Sequence, residues 1–148
     1  MVQMLLDHGA DPNAKTNSGN TALMDMAVIG QQTKIRTLLY GGADVNVAND
    51  DGKTALMMAA RSGHAESVAL LLKNDAEAEA VNNDGETALI VAVRGGDREA
   101  VGTLLRNGAD IEATTKDGDT AFDLASDEMY EFMERVLLGV GVSQESSS

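Results

Sequence analysis

GKTALMMAA, residues 52–60, is one of four versions of a single phrase, the others being GNTALMDMA at 19–27, GETALIVAV at 85–93 and GDTAFDLA at 118–125. The leading glycines Gly19, Gly52, Gly85 and Gly118 stand 33 residues apart. A fixed period of this length marks a stacked array in which each unit packs only on its neighbours. Such a fold presents a repeated surface, and nothing in the phrase itself has the look of an active site.

Thr follows two positions after each glycine (Thr21, Thr54, Thr87, Thr120) and an apolar residue follows at four (Leu23, Leu56, Leu89, Phe122). A Thr hydroxyl can accept from the first free N–H groups of a helix, so each Thr reads as an N-cap. A second glycine, at Gly30, Gly63 and Gly96, suits the positive φ at which a first helix ends. A second apolar set with helical spacing follows it: Ile35, Leu38, Leu39; Val68, Leu71, Leu72; Val101, Leu104, Leu105. Each unit is therefore two short helices joined by a glycine turn. The polar segments between units read as β-hairpins projecting sideways, with tips at NSG, DDG, NDG and KDG.

These residues resemble the ankyrin repeat family, whose pattern runs from a hairpin Gly through Thr-Pro-Leu-His-x-Ala-Ala, a Gly turn and Val-x-x-Leu-Leu to Gly-Ala-Asp-x-Asn. The resemblance covers residues 1–138 and is strongest over 16–114. It implies an all-α solenoid with short β-hairpin loops: about four full helix-turn-helix repeats plus an N-terminal half-repeat. The expected divisions are 1–15 (partial repeat), 16–48, 49–81, 82–114, 115–138 (C-terminal cap) and 139–148 (flexible tail). The chain departs from the pattern at the Pro, which is Ala22, Ala55, Ala88 and Ala121, and at the His, which is Met24, Met57, Ile90 and Asp123. The latter change implies loss of the hydrogen bonds that His makes in the family. Asp75 stands where a loop Gly is expected, and Asp enters the left-handed region more readily than most residues. The resemblance also implies that Asn46 matches a hairpin Asn hydroxylated in some animal members; a plain hairpin residue is the preferred reading.

At the N-terminus, MVQMLLDHGAD aligns with a second helix that lacks its first, leaving Val2, Leu5 and Leu6 without a helix of their own unit. Two readings stay open: a fragment of a longer array, or a helix that caps the stack unaided. At the C-terminus the turn Gly is replaced by Met129, and a register slid by one is expected to bury Met133, Val136 and Leu137.

Composition narrows the function classes. With no Cys there is neither a disulfide framework nor a thiol nucleophile, which fits a cytoplasmic protein. No apolar run approaches membrane-spanning length, so no membrane partner is expected. The net charge of −13 argues against nucleic acid, whose binding rests on Lys and Arg neutralising phosphates. Gly52-Lys53-Thr54 resembles the end of a phosphate loop, but Val47 stands where the first Gly is required. Asn49, Asp51 and Gly52 echo a calcium loop whose first and closing ligand positions are Val47 and Met58. His8 and His64 have no partner ligand at metal or triad spacing, and the paired methionines read as core. The expectation is a non-enzymatic protein without cofactor or metal.

The candidate binding residues follow from stacking, which lines up equivalent positions of successive repeats about 10 Å apart. The two residues before each turn Gly are Val28 and Ile29, then Arg61 and Ser62, then Arg94 and Gly95, then Asp127 and Glu128 in the cap. The groove is thus expected to run from apolar through two aligned arginines to acidic. Beside it lie the hairpin-tip residues Asn17, Asn20, Asp50, Asp51, Lys53, Asp84, Glu86, Lys116 and Asp117. Arg is enriched at interfaces, so a protein or peptide partner with an acidic residue facing Arg61 and Arg94 is expected. The competing reading pairs the arginines with Glu86 or Asp84 as a solvated face. A second function class is self-assembly through the exposed N-terminal half-repeat.

Overall fold

A computed structural model of the chain describes residues 11–139. Eight helices are found among them: α1 Ala22–Ile29, α2 Gln32–Tyr40, α3 Ala55–Arg61, α4 Ala65–Lys73, α5 Ala88–Gly95, α6 Arg98–Arg106, α7 Ala121–Leu124 and α8 Asp127–Leu137. The first helices stack in the order α1, α3, α5, α7, and the second helices in the order α2, α4, α6, α8. The result is a two-layered helical solenoid.

The local signals act as the sequence suggests. Thr21, Thr54, Thr87 and Thr120 are the N-caps of the four first helices, each hydroxyl accepting a backbone N–H at 3.3 Å. Gly30, Gly63 and Gly96 take φ of 72°, 77° and 74°, and Asp75 does the work of a loop Gly at φ 71°. In two repeats the residue that stands in place of the expected His bonds back to the N-cap. Asp123 Oδ2 accepts the Thr120 N–H at 2.9 Å, closing a capping box, and Met24 Sδ accepts that of Thr21 at 3.5 Å.

The core is a continuous file of small and branched side chains between repeats. Leu23, Ile35, Leu56, Val68, Leu71, Leu89, Val101 and Leu104 are buried, and Ala27, Ala59, Ala60 and Ala92 let the first helices approach closely. Each such Leu, Ile or Val contributes roughly 1.5–3 kcal/mol on burial, enough to offset part of the backbone ordering of its short helix.

The projecting segments are hairpin-like turns without strands: among the described residues the only bridge is the isolated pair Thr114 and Thr120. Each turn is closed across five residues, as where Asn49 N donates to Lys53 O at 2.9 Å and Asn82 N to Glu86 O at 3.0 Å. The side chain at the same register reinforces it, since Asn49 Oδ1 and Asn82 Oδ1 each accept two N–H groups of their own turn. Between repeats, Asn46 Nδ2 donates to Asp75 O at 3.1 Å and Asn46 Oδ1 accepts from Glu77 N at 2.8 Å. Asn13 makes the same pair of bonds with Gly42 O and Asp44 N.

The last repeat departs from the expected register. Helix α7 ends after four residues at Ala125, whose backbone is extended, so Asp127 and Glu128 fall in the first turn of α8 behind the N-cap Ser126. They suit a helix N-terminus there, where acidic side chains are favoured, and do not extend the groove as an acidic end. Helix α8 buries Met129, Phe132 and Met133, whereas Leu137 is 47% exposed. The expected burial of Leu137 is therefore corrected: the inward face runs through Phe132, whose ring meets the position of Gly102. Val2, Leu5, Leu6 and His8, and the tail beyond Gly139, lie outside the described residues.

Candidate functional site

A groove opens between the C-terminal ends of the first helices and the hairpin tips. Its central part is a cleft of about 350 Å³ floored by Met57, Met58 and Val91. Val28, Arg61 and Ser62 form one side, and Lys53, Asp84 and Glu86 the other. An adjoining polar cleft of about 550 Å³ continues past Arg61 and Asp84 to Arg94, Lys116 and Asp117. The fold thus brings together residues from four repeats.

Its apolar end is exposed: Val28 is 43% and Ile29 54% accessible. These side chains close α1, whose inward face is already filled by Leu23, Met24 and Ala27, so nothing in the core needs them. Two arginines stand in register at the ends of α3 and α5, but they are not equivalent. Arg94 forms an ion pair with Glu86 of its own repeat's tip, which is the local pairing weighed above. Arg61 has no ion-pair partner among the described residues, because Lys53 stands in its repeat where Glu86 stands in the next.

The tip residues divide in the same way. Lys116 Nζ donates to the carbonyl of Asn83, and Asn20 Oδ1 accepts from Asn49 Nδ2 at 2.8 Å, so both are committed to holding neighbouring tips together. Asp50 and Asp51 contribute backbone to the same stack: Asp50 N donates to Ser18 O and Asn83 N to Asp51 O, each at 3.0 Å. Their carboxylates and the Asn17 side chain are exposed, away from both clefts. Ile29 likewise lies outside the cleft that Val28 lines.

Sequence reasoning missed three residues that line or support the cleft. His64 Nε2 lies 2.9 Å from Val28 O, tying the last turn of α1 to the next repeat and fixing the apolar end of the groove. The ring also fills the space over Gly30, where an added Cβ would meet it at 2.8 Å. Met58, which reads as core from the sequence, and Val91, which the sequence reading does not single out, supply apolar floor. The available signal was periodicity: their registers differ by 33 residues and face the tips in both repeats.

Among the described residues no group of three or more His, Cys, Asp or Glu is placed to hold a metal ion, and no helix is long and apolar enough to cross a membrane. The arrangement offers an apolar end, two cations without an ion-pair partner among the described residues, Arg61 and Lys53, and an acidic rim of Asp84 and Glu86. A family model described as ankyrin repeats in three copies matches the chain over residues 1–82, 31–115 and 74–146. No curated protein matches it.

Proposed function

The chain belongs to the ankyrin repeat family, whose repeats serve in general as protein–protein interaction modules, and from that premise we propose that it captures a protein or peptide partner non-enzymatically in the groove between first helices and hairpin tips. The observation that carries this reading is the juxtaposition of exposed Val28 with Arg61 along one apolar-floored cleft. An extended segment lying there would set an apolar side chain against Val28 and a carboxylate against Arg61, with a neutral or cationic residue beside Asp84. Arg94 contributes less, because its charge is already met by Glu86.

The test is a selection from a random peptide library on the purified chain, followed by affinity measurement with the enriched peptides. The reading expects enrichment of sequences with an acidic residue near an apolar one, and loss of binding in Val28→Lys. Enriched peptides that bind Val28→Lys and Arg61→Ala as well as the unchanged chain would place recognition elsewhere.

A further inference from the structure

The charge of this chain is unevenly laid out. Helices α2, α4 and α6 carry Lys34, Arg36, Lys73, Arg98 and Arg106 against the carboxylates Glu66 and Glu99, a net +3 on a chain of −13. The acids are concentrated in the hairpins, the loops and the cap. The outer face of α2, α4 and α6 is therefore a basic strip on an acidic molecule, ending at the acidic helix α8, on the side away from the groove described above.

Within that strip lies a second cleft, of about 700 Å³, between α2 and α4. It exists because of a register difference: Ala69 stands in α4 at the position that Arg36 holds in α2, so its small side chain leaves a hollow beside the guanidinium. Leu39 and Leu70, each half-buried, form the floor. Tyr40 and Lys73, also at one register, stand side by side at the C-terminal end of the hollow. Tyr40 is 96% exposed, so its ring makes no contribution to the core. Arg36 and Tyr40 are four residues apart on one helix and project over the same turn. Neither Arg36 nor Lys73 has an ion-pair partner among the described residues. The one carboxylate lining the cleft, Glu66, accepts from Gln32 Nε2 at 2.5 Å.

We infer that this outer cleft is a second docking surface, for an acidic protein segment that seats an apolar side chain on Leu39 and Leu70 and a carboxylate between Arg36 and Lys73. Charge complementarity selects the occupant. Arg and Tyr beside an apolar floor are the residues that dominate protein interfaces when desolvated, and Arg can fork onto a carboxylate. A nucleic acid would bring a dense run of phosphates past Glu66 and the acidic loops, where counterion release at two cations returns little affinity. A short acidic segment brings few charges and an apolar anchor.

The probe is a short fluorescein-labelled peptide of glutamates interrupted by leucines, titrated into the ¹⁵N-labelled chain at low and at physiological salt. The expected result is saturable shifts at the amides of Arg36, Tyr40, Ala69 and Lys73, weakening with salt. Anisotropy should show at least a tenfold loss in R36E/K73E, both exposed positions, with an unchanged melting temperature and no loss in Arg61→Ala. Absence of saturable shifts overturns the inference, as does mapping of the shifts to the Arg61 groove, which would instead support the function proposed above. Equal affinity for single-stranded DNA overturns it in favour of a general polyanion site. A molar mass that rises with concentration and falls back to monomer in R36E/K73E overturns it in favour of a second copy of the chain.

Discussion

Glu79 accepts the backbone N–H of Asp110 at 3.0 Å, the same contact that Asn46 makes one repeat earlier with Glu77. Asn46 also donates its amide to the Asp75 carbonyl at 3.1 Å. A carboxylate cannot donate, so at Glu79 half of the inter-repeat bridge is missing and a further negative charge is added to an acidic loop region. Glu79→Asn should restore the donation to the Gly108 carbonyl and stabilise the chain by about 0.5–1.5 kcal/mol, the usual net worth of one hydrogen bond. Urea unfolding would read this as a higher midpoint at unchanged slope. A midpoint equal to or below that of the unchanged chain would mean that the side chain does not reach Gly108.

Ser67 is fully buried in α4 and its Oγ finds no hydrogen-bond partner among the described residues. The next repeat has Ala100 at the same register, equally buried, so the site accepts a methyl group without rearrangement. Leaving a hydroxyl buried and unpaired costs about 1–3 kcal/mol. Ser67→Ala should therefore raise stability by about 1 kcal/mol and the melting temperature by roughly 2–4 °C for a chain of this size. A lower melting temperature would show that the hydroxyl has a partner, such as an ordered water.

The hairpin glycines separate two causes of the same preference. Gly52 and Gly118 both have positive φ, 76° and 85°. At Gly52, however, an added Cβ would lie 2.9 Å from Asn83 N and 3.0 Å from Asn82 Cα, whereas at Gly118 it meets nothing within 4 Å. Gly118→Ala should cost only the left-handed backbone penalty, roughly 1–2 kcal/mol. Gly52→Ala should cost about 1–3 kcal/mol more, because backbone of the next tip must move. Equal losses in thermal unfolding would remove close stacking of the tips as a reason for glycine.

The repeat unit was legible because its signals are local and recur together. A Thr cap, a turn Gly and an apolar pair are each decided within a few residues, and every one of Thr21, Thr54, Thr87 and Thr120 caps its helix. The cap was less legible because Met129 removes the turn signal, and α7 stops at Leu124 with no Gly or Pro behind it, Ser126 already capping the next helix. Within the groove, Val28 and Arg61 follow from register alone. The difference between Arg61 and Arg94 turns on Lys53 against Glu86, a contact between tip and helix that spacing along the chain only offered as one of two readings. The outer cleft depends on Ala69 beside Arg36, two repeats' surfaces read together.

Phe132 of α8 packs where Gly102 of α6 leaves room, its Cζ 3.1 Å from the position an added Cβ would take. Replacing Gly102 by Ala gains about 1 kcal/mol of helix propensity but overpacks a buried ring, at roughly 1–3 kcal/mol. The single change should give a net loss of about 1 kcal/mol, and in a Phe132→Leu background the same change should stabilise. A double-mutant cycle by chemical denaturation reads this coupling directly. Additive effects would mean that the ring and Gly102 are energetically independent.

Arg61 and Arg94 occupy one register but should differ sharply in binding. Removing Arg61 takes away an uncommitted guanidinium that a bound carboxylate would engage, and hydrogen bonds to charged groups are worth about 1.5–3 kcal/mol. Arg61→Ala should therefore weaken a groove-selected acidic peptide by at least tenfold. Arg94→Ala breaks the pair with Glu86, which is half-solvated on the arginine side, and releases a carboxylate into the groove; the expected loss is under about threefold, since exposed pairs contribute little. Glu86→Gln supplies the decisive comparison. Freed from its partner, Arg94 becomes available to the ligand, so affinity for the acidic peptide should rise and Arg94→Ala in that background should now cost as much as Arg61→Ala. If the two arginines contribute equally in the unchanged chain, the Glu86 pair does not persist in solution, and the groove presents two cations in register in place of one.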